Sequence, residues 1–154
     1  MVSLDEDLEA LRIYIELEQL RMQRSFEFAI VNLVPKTAPI HIPPMMMQPF
    51  VENAVWHGLN NQESGGRIEI SINRKGDMVE CIIEDNGKRS VSKNQSDLSP
   101  TIKKTSMGMA LIKERLEVVS QIYKMKAYFK MEDRHEDILP QEGTRITLVL
   151  PVDE

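Results

Sequence analysis

Apolar residues recur at Leu4, Leu8, Leu11 and Ile15, a four-three-four spacing that predicts an amphipathic helix from about Leu4 to Arg24. Ser3 and Glu6 form a capping box at its start, and acidic residues fill the first turn, where the helix dipole favours them. A second stripe, Ala10, Ile13, Leu17 and Leu20, makes more of the circumference apolar than packing on one sheet requires. On the pattern alone two outcomes are open: this stripe faces a second helix, such as one from another copy of the chain, or the helix is sandwiched within its own fold.

The period then changes. "SFEFAIVNLV" alternates as a strand, and Pro35, Pro39, Pro43 and Pro44 punctuate the entry to a mostly apolar run, "PMMMQPFVENAVWHGL". Arg67 to Arg74 and Asp77 to Glu84 read as two strands of a tight hairpin joined at Lys75-Gly76. Residues 88–106 are polar and rich in Ser and Lys, which predicts a long functional loop or disorder. "MGMALIKERLEVVSQIY" resumes as a helix, and "KAYFKM" and "TRITLVLPV" read as strands. This order predicts an α+β fold with the helices gathered on one face of a mixed or antiparallel sheet.

Composition narrows the picture. At 154 residues with 42% hydrophobic content the chain fits one globular unit with a real core. Nineteen basic against twenty-four acidic residues, a net charge of −5, argue against nucleic-acid or anionic-membrane binding, which rest on a concentrated basic patch. The lone cysteine, Cys81, lies among Val79, Ile82 and Ile83 and reads as a buried reduced thiol of a cytosolic protein. No apolar run approaches the ~20 residues that span a bilayer.

Four segments carry candidate chemistry. In the apolar run, Asn53 and His57 share a helical face, with Glu52 about 100° round from Asn53. The Asn53 amide oxygen is a hard neutral ligand suited to Mg²⁺, and Glu52 is placed to orient or take a proton; the plain alternative is a polar solvent edge. Pro49 either kinks this helix or lies in its first turn. In "IIEDNGK" an apolar strand delivers Asp85 to the mouth of the core, and Gly87 lets a flat ligand such as adenine approach the backbone; Asp-Asn-Gly is also an ordinary turn. Gly108 is expected to open a helix after the polar loop, offering free N–H groups to phosphate, with Lys103 and Lys104 just before it. A capped helix with a solvated basic pair would look the same. Gly143-Thr144 opens the last strand and carries no signal by itself.

Taken in order, "PPMMMQPFVENAVWHG", "EDNG", "SMGMALIKERL" and "GTRITLVLP" resemble the N, G1, G2 and G3 boxes of the GHKL ATP-binding superfamily. The first is similar in wording to sensor histidine kinases of the LytS type, and "LDEDLEALRIYIELEQLRMQRSFEF" resembles the segment following their phosphoacceptor helix. The resemblance implies a two-layer α/β sandwich (the Bergerat fold) over residues 25–154, with residues 1–24 belonging to the dimerisation and phosphoacceptor region. It implies ATP and Mg²⁺ as ligands, Asn53 holding the metal, Asp85 reading adenine, Gly87 and Gly108 as close-approach glycines, and Thr144 supporting the adenine end. Glu52 matches the general base of ATP-hydrolysing members, and in the kinases orients the acceptor histidine. His57, Lys103 and Lys104 are implied near the phosphates. The implied partners are a response regulator and a second copy of the chain, and the implied location is the cytoplasmic part of an inner-membrane sensor.

Two departures stand out. Lys88 and Arg89 follow Gly87 where the family usually has a residue and a second glycine, and Ser106 stands where a glycine is frequent, although its hydroxyl can donate to a phosphate. None of His41, His57 and His135 occupies a phosphoacceptor position, so the chain is expected to be the catalytic end of a longer kinase that starts after its acceptor. The expected function is Mg-ATP binding for phosphoryl transfer to an upstream histidine. The alternatives are a dimeric nucleotide-binding interaction module without catalysis, and a superfamily ATPase dependent on Glu52.

Overall fold

The computed structural model describes residues 1–22, 26–59, 65–87, 100–133 and 143–154. Its centre is a mixed five-stranded sheet, in spatial order β2 (Phe26–Asn32), β4 (Gly66–Lys75), β5 (Met78–Asp85), β7 (Thr144–Pro151), β6 (Tyr128–Asp133). Only β2 and β4 run parallel; the other neighbours are antiparallel. Alternation along the strands sorts the side chains. Ile68, Ile70, Ile72, Val79, Cys81, Ile83, Ile146, Leu148 and Leu150 are buried on one face, whereas Glu69, Glu84, Arg145 and Glu132 form a row of neighbours on the other. Cys81 is fully buried, and burial pushes its thiol up to about 12.

Helix α1 (Leu4–Arg21) begins as its sequence dictates: the Ser3 Oγ accepts the Glu6 N–H at 3.1 Å, and Asp5, Glu6 and Asp7 fill the first turn. It ends at Arg21 rather than Arg24, because Met22 turns extended and donates its N–H to the Glu18 carbonyl. Leu4, Leu8, Leu11 and Ile15 enter the core, but Ile13, Leu17 and Leu20 are 50%, 59% and 83% exposed, so nothing within the described residues covers the second stripe.

Several features escaped the pattern. Val2–Ser3 (β1) pairs with His41–Ile42 (β3), and His41 also exchanges backbone hydrogen bonds with Asp153 at 2.7 and 2.9 Å. Two-residue strands are too short to show a period. The β4–β5 turn falls on Gly76-Asp77, one residue later than expected, because Lys75 pairs with Met78 and Gly76 takes the left-handed φ of +64°. Helix α3 (Pro100–Tyr123) starts within the expected polar loop: Pro100 suits a first turn, and no proline or glycine interrupts it before Gly108. It buries Ile112 and Leu116 and ends where Lys124 becomes left-handed at φ +53°.

Asp7 ties α1 to the apolar run. It is 8% exposed, and its Oδ1 accepts the backbone N–H of Met45, itself left-handed at φ +58°. Burial raises the Asp7 pKa, with the Met45 hydrogen bond opposing the shift. A carboxyl raised in the folded state binds more protons folded than unfolded, so its contribution to stability declines as pH rises through that window. Asp7→Asn keeps an acceptor for Met45 and removes the buried charge. Its stability relative to wild type is expected to improve with rising pH in urea denaturation, whereas Asp7→Ala strands the Met45 N–H and costs about 1–3 kcal/mol.

Candidate functional site

The apolar run folds as a short helix, α2 (Gln48–Asn53), continued by a π-helical segment, Ala54–Leu59. Pro49 lies in its first turn, so of the two outcomes open for this proline the helix starts there instead of kinking. Phe50, Val51, Ala54 and Val55 are buried, and the Phe50 ring meets Phe129 at 5.0 Å between centroids. The α-to-π change occurs immediately after Asn53, where the Ala54 N–H is shared between the Phe50 and Val51 carbonyls. Glu52 and Asn53 are half-buried. Glu52 accepts from Gln48 Nε2 at 3.2 Å. Burial, and after it the charges of Glu18 and Glu52, raise the pKa of Tyr14 on α1. The backbone of His57 belongs to the π-helical segment; its side chain lies outside the described residues.

The second cluster lies at one end of the sheet. Asp85 is the last residue of β5 and stands directly opposite Thr144, the first of β7; the two are 6% and 8% exposed. The Asp85 Oδ1 accepts the Gly87 N–H at 2.9 Å, an Asx turn that directs the chain away from the strand. Asn86 fastens this turn to β4 from both ends of its amide, accepting from the Arg67 N–H at 2.7 Å and donating to the Gly65 carbonyl at 2.8 Å. The π-helical segment packs against β4 and β5 and α2 packs against α3, so both clusters belong to one body. On the outer face Arg145 pairs with Glu84 at 3.1 Å, an exposed contact of small energetic weight.

Two placements differ from expectation. Gly108 does not open a helix; it lies two turns inside α3, and Lys103, Lys104 and Ser106 share the turns before it, with side chains outside the described residues. Free N–H groups of a helix start therefore belong near Pro100 instead. The altered hinge at Lys88 and Arg89 and the loop holding His135 lie outside the described residues as well.

Sequence reasoning gave Gly143 no weight, yet the site depends on it. Its φ is +156°, and a Cβ there would overlap the Asp85 carbonyl oxygen and crowd Asn86. A glycine before a strand is too common to reveal such an approach. Asn86 was likewise read only as a turn residue. Among the described residues no group of three or more His, Cys, Asp or Glu side chains is arranged to hold a metal. The half-buried Asn53 offers one neutral oxygen, a donor of the kind Mg²⁺ accepts when phosphates and waters supply the rest of its shell. Gly143→Ala is expected to destabilise the fold by about 1–3 kcal/mol, measured by urea denaturation, because Asp85 or the start of β7 must move.

Comparison with known proteins agrees with this geometry. Residues 44–154 match the family model for histidine kinase-, DNA gyrase B-, and HSP90-like ATPases. The sensor histidine kinase/phosphatase LytS of Staphylococcus aureus is 34% identical over 98 residues, 63% of this chain, and the match spans 16% of that protein. The fold is similar to that of the mycobacterial sensor histidine kinase MprB, with a TM-score of 0.64 at 15% identity over 98% of this chain and 97% of that one. It is also similar to the catalytic domain of the histidine kinase ThkA, with a TM-score of 0.58 at 13% identity over 97% and 93% of the two chains. The two-layer α+β expectation holds, and the chain belongs to the histidine kinase-, DNA gyrase B-, and HSP90-like ATPase family.

Proposed function

We propose that the chain is the ATP-binding catalytic domain of a sensor histidine kinase, which positions Mg-ATP for phosphoryl transfer to a histidine on another helix and from there to a response regulator. The observation that carries this is Asp85: a buried carboxylate at the end of an apolar strand, opposite Thr144, with Gly143 packed on its carbonyl and Gly87 donating to its Oδ1. An ionised carboxylate only accepts, so Asp85 suits the exocyclic amine of adenine, with Thr144 supporting the same end. Phosphoryl transfer demands chiefly alignment and charge neutralisation. In this reading Asn53 holds Mg²⁺, which neutralises phosphate charge when bound. Lys103, Lys104, Ser106 and His57 face the phosphates, Gly87 and Gly108 allow close approach, and Glu52 orients the acceptor.

Residues 1–24 act as the connection to the acceptor region and residues 25–154 as the nucleotide-binding unit. The exposed Ile13, Leu17 and Leu20 stripe is the face proposed to meet a second copy of the chain. His41 lies in β3 and neither His57 nor His135 is offered as an acceptor, so nucleotide binding without self-phosphorylation is expected of this chain. A second reading, a nucleotide-binding interaction module without transfer, draws on one observation: α3 runs unbroken through Ser106 and Gly108, where the phosphates would want a helix start.

Calorimetric titration with ADP and a non-hydrolysable ATP analogue, with and without Mg²⁺, tests the site. Asp85→Asn preserves the acceptor that holds Gly87, so the turn survives while adenine recognition is lost, and affinity is expected to fall about tenfold or more. Asn53→Ala should erase the Mg²⁺-dependent gain and leave metal-free ADP binding in place. A folded wild-type chain that binds neither nucleotide overturns the reading. Binding without phosphoryl transfer to an added acceptor domain favours the interaction module.

A further inference from the structure

Helix α2 has few local reasons to hold its orientation. It is six residues long, its start carries no side-chain cap, and its hydrogen-bond register changes immediately after Asn53. So short a helix takes its stability from tertiary packing. On its buried side Phe50 and Val51 supply that packing. Just beyond its end Trp56, four residues after Glu52, meets α1.

The contact with α1 is specific. The Arg21 guanidinium carbon lies 4.3 Å from the centroid of the Trp56 ring, close range for a cation over an indole face. Arg21 is itself fixed, donating from Nε at 3.0 Å and Nη2 at 2.6 Å to one oxygen of Glu18. One helical turn before Glu18, Tyr14 has its pKa raised by burial and then by the charges of Glu18 and Glu52. At the other end of α1, Asp7 holds Met45, three residues ahead of α2. Helix α1 therefore grips the asparagine-bearing segment before its first turn and after its last.

We infer that Arg21 is a positioning residue for the nucleotide site: through its stack on Trp56 it sets the orientation of the turn that carries Glu52 and Asn53, and so makes the site responsive to α1. This rests on the nucleotide-binding reading above. It goes beyond that reading by giving α1 a part in metal-nucleotide binding, through the Arg21–Trp56 contact just after α2.

Trp56 is the only tryptophan in the chain, so its emission reports the contact directly. The test compares wild type, Arg21→Ala, Arg21→Lys, Trp56→Leu and the Arg21→Ala/Trp56→Leu double variant. It uses calorimetry with the ATP analogue and with ADP, with and without Mg²⁺, urea denaturation, and hydrogen exchange of amides 54–59 in the free protein. Arg21→Ala is expected to shift Trp56 emission and to weaken Mg²⁺-supported binding about two- to fivefold, the range of an exposed cation–π contact. Metal-free ADP affinity and the urea midpoint should stay put, Arg21→Lys should recover part of the loss, and the double variant should lose no more than Trp56→Leu alone. A purely structural role would instead move the urea midpoint and both affinities together. That outcome, or no change in any reading, overturns the inference. Should wild type bind no nucleotide, the functional reading fails separately, and exchange still decides the coupling: faster exchange at 54–59 in Arg21→Ala upholds it, and unchanged exchange overturns it.

Discussion

Thr144 stands opposite Asp85 because β5 and β7 keep one register along their whole length, from Met78 against Pro151 to Asp85 against Thr144. A slip of one residue would turn every inward side chain of β7 outward, taking Ile146, Leu148 and Leu150 from the core. The register is thus specified by hydrophobic burial over eight residues, and the carboxylate at its end inherits a fixed position at no local cost. Gly143 completes the arrangement by letting β7 begin against the Asp85 carbonyl. The candidate site sits at the end of a well-determined ladder, where the Asn86 N–H extends the pairing to the Arg67 carbonyl.

Helix α1 is a second constraint of a different kind. Leu4, Leu8, Leu11 and Ile15 belong to the same core as the sheet, so the helix is no loose appendage. Its first residue hydrogen-bonds to Ile40, and the short β1–β3 pair and the His41–Asp153 bridge gather the two chain ends at one place. The uncovered stripe faces away from all of this.

Legibility followed the strength of the period. The long strands and α1 were readable because burial on one face imposes a regular alternation, and Asp85 was readable because a carboxylate after an apolar strand is unusual enough to prompt a question. The start of α3 was not readable: Thr101 to Ser106 carries a single apolar residue, Ile102, too little to set a period, so nothing in its pattern separates helix from loop. Gly143 and Asn86 escaped for another reason. Their roles lie in what they approach, Asp85 and β4 respectively, and proximity across sequence leaves no mark on local composition. The Arg21–Trp56 stack joins residues 35 positions apart, from a helix and a segment that each looked complete alone. Family resemblance extended the reading to Thr144, while the continuous helix through Gly108 marks where resemblance and geometry part.

The sheet has one further property. β5 is its central strand, hydrogen-bonded on both edges, and Cys81 is buried in its middle with its thiol pushed up to about 12. Burial holds this thiol protonated near neutral pH, and the thiolate is the reactive form. In the folded chain this sulfur is shielded from alkylating agents and peroxides. The rate at which Cys81 can be labelled therefore follows the opening of the sheet around it, a clock carried in the middle of the molecule.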